Sequence, residues 1–301
     1  MKIMPVAQTY RGGKGWYYSR TYQTEVSTPS SYPLEKCIAN TMVNTSSFNG
    51  SKLPIYIGYD PKEKIAFDVC VHSILSRTDP SRVIIIPLIQ KNLRDAGLYW
   101  RMTKLNDSGK VVDLIDGRPF STEFSFTRFL VPALSHYRGA ALYLDSDFLV
   151  LDDIRHLLDL YDPRFAVQVV KHDYKPTETT KMDGQVQEQY NKKNWSSLVL
   201  WNCEHRLNEV VDEDLVNEYS GSFLHQFRWL DNTHIGELPD EWNYLVGWHR
   251  NRNAKAVHFT LGIPMTKGYE SCDYSQEWWE EYAAMMRTNN PKKHNWVDYQ
   301  V

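Results

Sequence analysis

The sequence predicts an α/β protein in which a mainly parallel sheet is flanked by helices. Three observations carry that expectation. First, LPIYIGYD, KEKIAFDVCVHSILSRT and RVIIIPLI follow one another from Leu53 as strand, amphipathic helix and strand. That is a βαβ unit, and it makes its two strands parallel. Second, Ala140, Ala141, Leu142, Tyr143 and Leu144 form a continuous apolar run that ends at a turn signal, the pattern of a strand covered on both faces. Third, strand-like and helical segments keep alternating from Leu53 onward with no linker between them. The 301 residues therefore read as one domain over 53–288, preceded by an irregular arm (1–52) and followed by a tail (289–301).

The arm contains TYQTEVSTPSSYPLEK and NTMVNTSSFNGSK, rich in Ser, Thr, Asn, Pro and Gly, and shows neither helical nor strand periodicity. It carries six Lys or Arg against two Glu, a local charge of +4. In the domain, the first strand closes at Asp60, and the helix after it sets Ile65, Val69, His72 and Leu75 near one stripe. STEFSFTRFLVPALSHY reads as a helix capped by Ser121 or Thr122, with Pro132 forcing a kink or a turn. After the Ala140–Leu144 strand come a short helix in DDIRHLLDLY, strands in RFAVQVVKH and WSSLVLWNC, and an exposed helix in RLNEVVDEDLVNEYS. A late strand in KAVHFTLG and a terminal helix in SQEWWEEYAAMMRT complete the order.

A net charge of −3 excludes a strongly basic nucleic-acid binder. No run approaches the roughly 18 apolar residues of a membrane helix, and MKIMPVAQTYRGGKGWYYSR lacks the apolar centre of a signal peptide. A cytoplasmic location is expected. Cys37, Cys70, Cys203 and Cys272 contain no C-x-x-C pair, so zinc and redox spacings are absent and reduced thiols are expected. Nineteen Tyr and ten Trp, many in polar segments such as DEWNYLVGWH, suit flat polar ligands such as sugars and bases and equally suit the edges of a core.

Asp145 and Asp147 stand where the apolar run ends. In open α/β sheets ligands gather at the carboxyl ends of strands, and carboxylates there can hold a hard divalent cation on a phosphate. A helix cap or an Asx turn would use the same residues. A second Asp-x-Asp, Asp212 and Asp214 in VVDEDLV, lies in a charged helical pattern and reads as a solvated face.

The wider stretch FSFTRFLVPALSHYRGAALYLDSDFLVLDDI resembles the central signature of the family 8 glycosyltransferases, the group of glycogenin and the bacterial lipopolysaccharide galactosyl- and glucosyltransferases. IYIGYD, WSSLVLWNC, FLHQFRWL, LPDEWNY and VHFTLG are similar, in order, to further segments of that family, over roughly 53–265. The resemblance implies a GT-A-type, Rossmann-like mixed sheet and retaining transfer from a nucleotide sugar, most simply a UDP-sugar. It implies Mn²⁺ (or Mg²⁺) held by Asp145, Asp147 and His258. Donor contacts fall on Tyr59, Asp60, Arg128, Asp145, Ser146, Gly262 and Lys267, and Gln226 and Arg128 match residues near the reacting centre. Two departures stand out: Ser196 and Leu198 occupy the places of the family's Asn and Gly, and GIPMTKGY moves Lys267 further from His258.

Two other functions share parts of the pattern. An Asp-x-Asp phosphatase also puts its acids at a strand end, and a non-catalytic module could keep a nucleotide-sugar or glycan pocket without transfer. The acceptor is open among glycan, protein, lipid-linked sugar and modified nucleobase. Its choice is expected in the arm, in RDAGLYWRMTKLNDSGK and in YKPTETTKMDGQVQEQYNKKN.

Overall fold

The computed structural model describes residues 8–12, 15–19, 52–172, 192–249 and 253–288. Most of the expected arm, the expected tail and nearly all of the expected acceptor segment 174–194 lie outside the described residues. The chain divides into two units, Met1–Pro33 and Leu34–Val301. In the first, β1 (Gln8–Gly12) and β2 (Gly15–Ser19) pair antiparallel. Strands of five residues give too few alternations to stand out within a polar arm.

The second unit opens with the expected βαβ: β3 (Leu53–Tyr59), α1 (Lys64–Arg77) and β4 (Val83–Ile89), the two strands parallel. Next come α2 (Gln90–Asp95) and an antiparallel pair, β5 (Thr103–Leu105) with β6 (Val111–Asp113). The short helix α3 (Val131–Leu134) then leads into β7 (Ala140–Leu144) and β8 (Phe148–Val150). Strands β9 (Val167–Val169) and β10 (Leu198–Asn202) follow, then helices α4 (Glu213–Glu218) and α5 (Gly221–His225). The last elements are β11 (Ile235–Glu237), β12 (Tyr244–Leu245), β13 (Ala256–His258) and α6 (Ser275–Thr288).

Six strands form the main sheet in the order β11-β9-β10-β7-β3-β4. β3 is parallel to both β4 and β7, and β11 to β9, while β10 runs antiparallel to both neighbours. The sheet is therefore mixed and mainly parallel. Alternation along the strands feeds two cores. Tyr56, Ala141, Tyr143, Val199 and Trp201 face one, with Phe129 and Phe227. Ile55, Ile57, Leu142, Leu144 and Leu200 face the other, where Phe67, Cys70, Val71 and Ile74 of α1 cover them. A small second sheet, β12-β13-β8, packs with α6 in a third cluster.

Three expectations need correction. The stripe predicted for α1 is incomplete: Val69 is buried and His72 and Leu75 are half-buried, but Ile65 is exposed, and Ala66, Phe67, Cys70, Val71 and Ile74 are buried as well, since this helix lies between a sheet and α6 and hides more than one face. The segment 121–137 is not one helix, but a series of turns with a 3-10 turn at Thr127–Leu130 and the four residues of α3. Asp60 accepts the Glu123 backbone N–H (3.1 Å) and Thr122 pairs with Ser125 (3.1 Å), ties that hold the start of the segment out of helical geometry. The helix in RLNEVVDEDLVNEYS shrinks to α4 and buries Leu215, Val216 and Asn217. Asp212 of the second Asp-x-Asp is its N-cap, accepting from Leu215 N–H at 2.8 Å.

Cys70, Cys203 and Cys272 are free thiols. Among the described residues no helix is long and apolar enough to cross a membrane.

Candidate functional site

The acids lie beyond the carboxyl end of β7, between the main sheet and the small one. Strand alternation continues past the strand and sends successive side chains to opposite sides. Asp145 turns toward the side of Tyr143 and Arg128. The Tyr143 hydroxyl donates to Asp145 Oδ1 (2.6 Å) and Arg128 Nη1 pairs with the same carboxylate (2.9 Å). Arg128 also donates to the Ser196 carbonyl (3.0 Å). Ser146 turns the other way, and its hydroxyl donates to Glu63 (2.7 Å), just ahead of α1.

Gly58 explains how Arg128 comes within reach. A Cβ on Gly58 would lie 2.4 Å from the Phe124 ring, so only glycine lets Phe124 settle on β3 and bring the turn that carries Arg128 over the strand ends.

His258 arrives from the far end of the chain by strand pairing. β13 runs antiparallel to β8 with His258 opposite Phe148, and the two rings stack at 4.5 Å. Its orientation follows from a chain of hydrogen bonds. Ser197 Oγ donates to the Asn194 carbonyl (2.7 Å), so it accepts from the Asn243 side-chain NH₂ (2.9 Å). Asn243 Oδ1 is thereby left to accept from His258 Nδ1 (3.1 Å). With Nδ1–H engaged by Asn243, the imidazole turns Nε2 toward Asp147 Oδ1, 3.3 Å away.

Asp145, Asp147 and His258 thus present ligand atoms within 4.8 Å of one another. Asp147 Oδ1 is buried and makes no aligned hydrogen bond, a costly state for a carboxylate oxygen unless a cation meets it. Two carboxylates and an imidazole nitrogen fit a divalent cation.

Electrostatics follow the same geometry. Burial raises the Asp145 carboxyl above its ordinary range, with Arg128 opposing the shift. Burial acts on Asp147 in the same direction, but the charge and hydrogen bond of His258, a backbone N–H and Arg128 together hold that carboxyl below its ordinary range. Glu63 is pushed up to about 7 by burial and by the negative charges of Asp147, Asp60 and Asp145. A cation among these acids would relieve that repulsion.

The remaining expected residues are more dispersed. Asp60 is buried, and its two oxygens accept the N–H groups of Lys62 and Glu123. Tyr59 packs edge-on against Phe67. Gly262 occupies a turn after β13 at φ +149°, where a Cβ would crowd Thr266. Lys267 is exposed. The Gln226 side chain bonds Ser222 (3.0 Å) and Arg228 (3.1 Å), whereas its neighbour His225 reaches Ser196 Oγ at 2.8 Å. Glu63, Asn243 and His225 did not stand out as site residues in the sequence. Asn243 and His225 had a signal only as members of LPDEWNY and FLHQFRWL.

No model of a known protein family matches the chain. Protein CDI of Arabidopsis thaliana is 43% identical over 258 residues, covering 84% of this chain and 94% of the relative. The chain belongs to the Protein CDI family. Among solved structures, this CDI-family chain is similar to the apo WbbM bifunctional glycosyltransferase, with a TM-score of 0.54 and 15% identity over 80% of this chain. It is also similar to the glycosyltransferase GlyE of Streptococcus pneumoniae TIGR4, with a TM-score of 0.50 and 14% identity over 79% of this chain. The chain spans 51% of the WbbM structure's length and 62% of the GlyE structure's. This CDI-family protein therefore has the GT-A-type glycosyltransferase fold.

Proposed function

We propose that this protein is a metal-dependent glycosyltransferase of the family 8 type, which moves a sugar from a UDP-sugar to an acceptor hydroxyl with retention of anomeric configuration. The observation that carries the reading is the convergence of Asp145, Asp147 and His258 beyond β7, with Asp147 Oδ1 buried, without an aligned hydrogen bond and 3.3 Å from His258 Nε2. In this reading the three residues hold Mn²⁺ (or Mg²⁺), which when bound neutralises charge on the donor diphosphate. Arg128 keeps the Asp145 carboxylate in place, and Ser146 lies beside the ribose. Lys267 is assigned to the diphosphate.

The transfer is a substitution at the anomeric carbon. The acceptor oxygen bonds that carbon as its bond to the diphosphate breaks, the electron pair leaves on the diphosphate, and the hydroxyl proton passes to the leaving oxygen. Catalysis then rests on positioning and on stabilising the charge that develops. We assign Gln226 to the developing positive charge, which requires its amide to leave Ser222 and Arg228. That requirement favours one second reading, a module that binds the nucleotide sugar without transferring it. A phosphatase nucleophile at Asp145 is disfavoured, since Tyr143 and Arg128 already occupy its carboxylate.

The test is calorimetric titration of UDP with and without Mn²⁺, followed by UDP-sugar hydrolysis. Asp147→Asn should keep the fold and lower Mn²⁺-dependent UDP affinity by about 100-fold or more, since a neutral amide is a poor ligand for a hard cation. Equal UDP affinity in the variant would remove the metal role. Binding without hydrolysis or transfer would favour the module.

A further inference from the structure

Away from Asp145, Asp147 and His258, three cations gather around Trp195 and Gln226. The Lys171 and Lys192 ammonium groups lie 6.0 and 5.6 Å from the centroid of the Trp195 ring. Lys192 Nζ also donates to the Gln226 carbonyl (2.9 Å), and Arg228 Nη2 donates to Gln226 Oε1 (3.1 Å). We propose that Lys171, Lys192 and Arg228 form an oxyanion site, which takes the phosphate, sulfate or carboxylate group of a small ligand. The site goes beyond the donor reading, which puts the diphosphate on the metal and Lys267, and does not depend on it.

Topology brings the three together. β9 and β7 are each antiparallel to β10 between them, so their carboxyl ends and the amino end of β10 share one edge of the sheet. Lys171 follows β9, Lys192 and Trp195 precede β10, and Arg228 follows α5. At about 4.8 Å per strand, the end of β9 is about 10 Å from the end of β7. The cations therefore stand apart from the acids beyond β7.

Charge is the second argument. Among the described residues no acid pairs with any of the three; their partners are an indole face, a backbone carbonyl and an amide oxygen. Lys192 is half-buried, and burial together with the charges of Lys171 and Arg228 lowers the pKa of its ammonium. Like charges held this close repel one another, and an anion shared among them turns that repulsion into attraction.

The donors define the ligand. Arg228 spends its Nε and one Nη2 proton on Gln226, which leaves three of the five N–H groups of a guanidinium for a planar, two-pronged grip on a carboxylate or phosphate. Lys192 gives Gln226 one of its three N–H groups, and Lys171 meets only the indole. Trp195 Nε1 donates to the His172 carbonyl (3.1 Å), which fixes the ring plane between the cations. Its face offers apolar contact to the carbon skeleton that carries the anion.

The probes are inorganic phosphate, sulfate, glucuronate and neutral glucose, titrated calorimetrically into the metal-free full chain at constant low ionic strength without nucleotide. At least one anion should bind saturably, with glucose about tenfold or more weaker. Lys171→Gln, Lys192→Gln and Arg228→Gln should each weaken that anion by about tenfold. Each removes a repelled charge from a half-buried or exposed position, so the melting temperature without anion should not fall. The anion should also slow acetylation of Lys171 and Lys192, mapped by mass spectrometry, by about threefold or more while exposed Lys104 reacts as before. UDP affinity with Mn²⁺ should change less than about twofold in Lys171→Gln. Tighter binding of glucuronate than of both inorganic ions identifies an anionic sugar as the ligand, the reverse order a free oxyanion, and either supports the site. No saturable anion, unchanged affinity in all three variants, or glucose bound as tightly as glucuronate would overturn the proposal. Anion binding that persists in a protein unable to bind UDP with Mn²⁺ would sink the donor reading and leave the oxyanion site standing.

Discussion

At the scale of single residues, the candidate site divides into candidate ligands and the groups that orient them. Asn243 is the clearest orienting group: with its NH₂ committed to Ser197, only its oxygen can face His258. Asn243→Asp would keep an acceptor for Nδ1–H, whereas Asn243→Leu would release the ring. Loss of such an outer partner commonly costs 10–100-fold in metal affinity. We expect a loss of about that size for Leu and a smaller one for Asp, measured by Mn²⁺ titration without nucleotide. Glu63 makes a different prediction. With its pKa raised to about 7, the folded protein keeps a proton from about pH 4.5 upward that the unfolded chain has released, so metal-free stability falls as pH rises toward 7 and stays low above it. Glu63→Gln keeps the acceptor for Ser146 and has no charge to desolvate. Denaturant titrations in chelator should show the variant more stable than wild type by about 1–3 kcal/mol at pH 8 and equal at pH 4. A gap independent of pH would show that packing, not ionisation, separates the two proteins. Neither residue was legible as a site group in the sequence. Glu63 reads as one more charge at a helix start, and the partner that gives it meaning, Ser146, lies 83 positions away.

At the scale of elements, what the sequence showed well was what repeats locally. The buried run of β7, the βαβ unit and the terminal helix follow from period and length, and all three are present. The segment carrying Arg128 was misread because its apolar residues mimic a helical period while distant groups set its path: Asp60 captures the Glu123 N–H, and Gly58 opens a seat for Phe124. The latter is testable. In Gly58→Ala the new methyl would meet the Phe124 ring at 2.4 Å, and forced overpacking of this kind costs about 1–3 kcal/mol. Because Phe124 also accepts from Arg128 through its carbonyl (3.3 Å), the displacement should reach Asp145. Gly58→Ala should therefore lose both stability and Mn²⁺-dependent UDP affinity, while a variant of equal stability loss on the far side of the sheet, such as Ile74→Val, should lose stability alone. Unchanged nucleotide affinity in Gly58→Ala would separate the Phe124 seat from the site.

At the scale of the whole molecule, the topology explains why Asp145, Asp147 and His258, far apart in the sequence, converge while the expected donor contacts stay dispersed. β7 ends where the parallel strands end, and the antiparallel pairing of β8 with β13 returns His258 to the same place, so the convergence of the three side chains follows from the fold. Contacts to a nucleotide sugar depend on side chains such as Lys267 and Gln226 that answer to local turns. The arm belongs to this scale as well. Residues Met1–Pro33 form a unit of their own, and the positive charge of residues 1–52 could hold an acidic or extended acceptor. Removing residues 1–33 should leave the melting temperature of the remaining chain and its Mn²⁺-dependent UDP affinity almost unchanged, because the described core of β3–β13 is complete within 53–288. Transfer to an acidic acceptor should fall, and its dependence on salt should flatten as the charge is lost. Calorimetry, UDP titration and transfer at two ionic strengths separate the outcomes. An aggregated or strongly destabilised product would make the arm part of the core, and undiminished transfer with the same salt dependence would leave it no part in acceptor recognition.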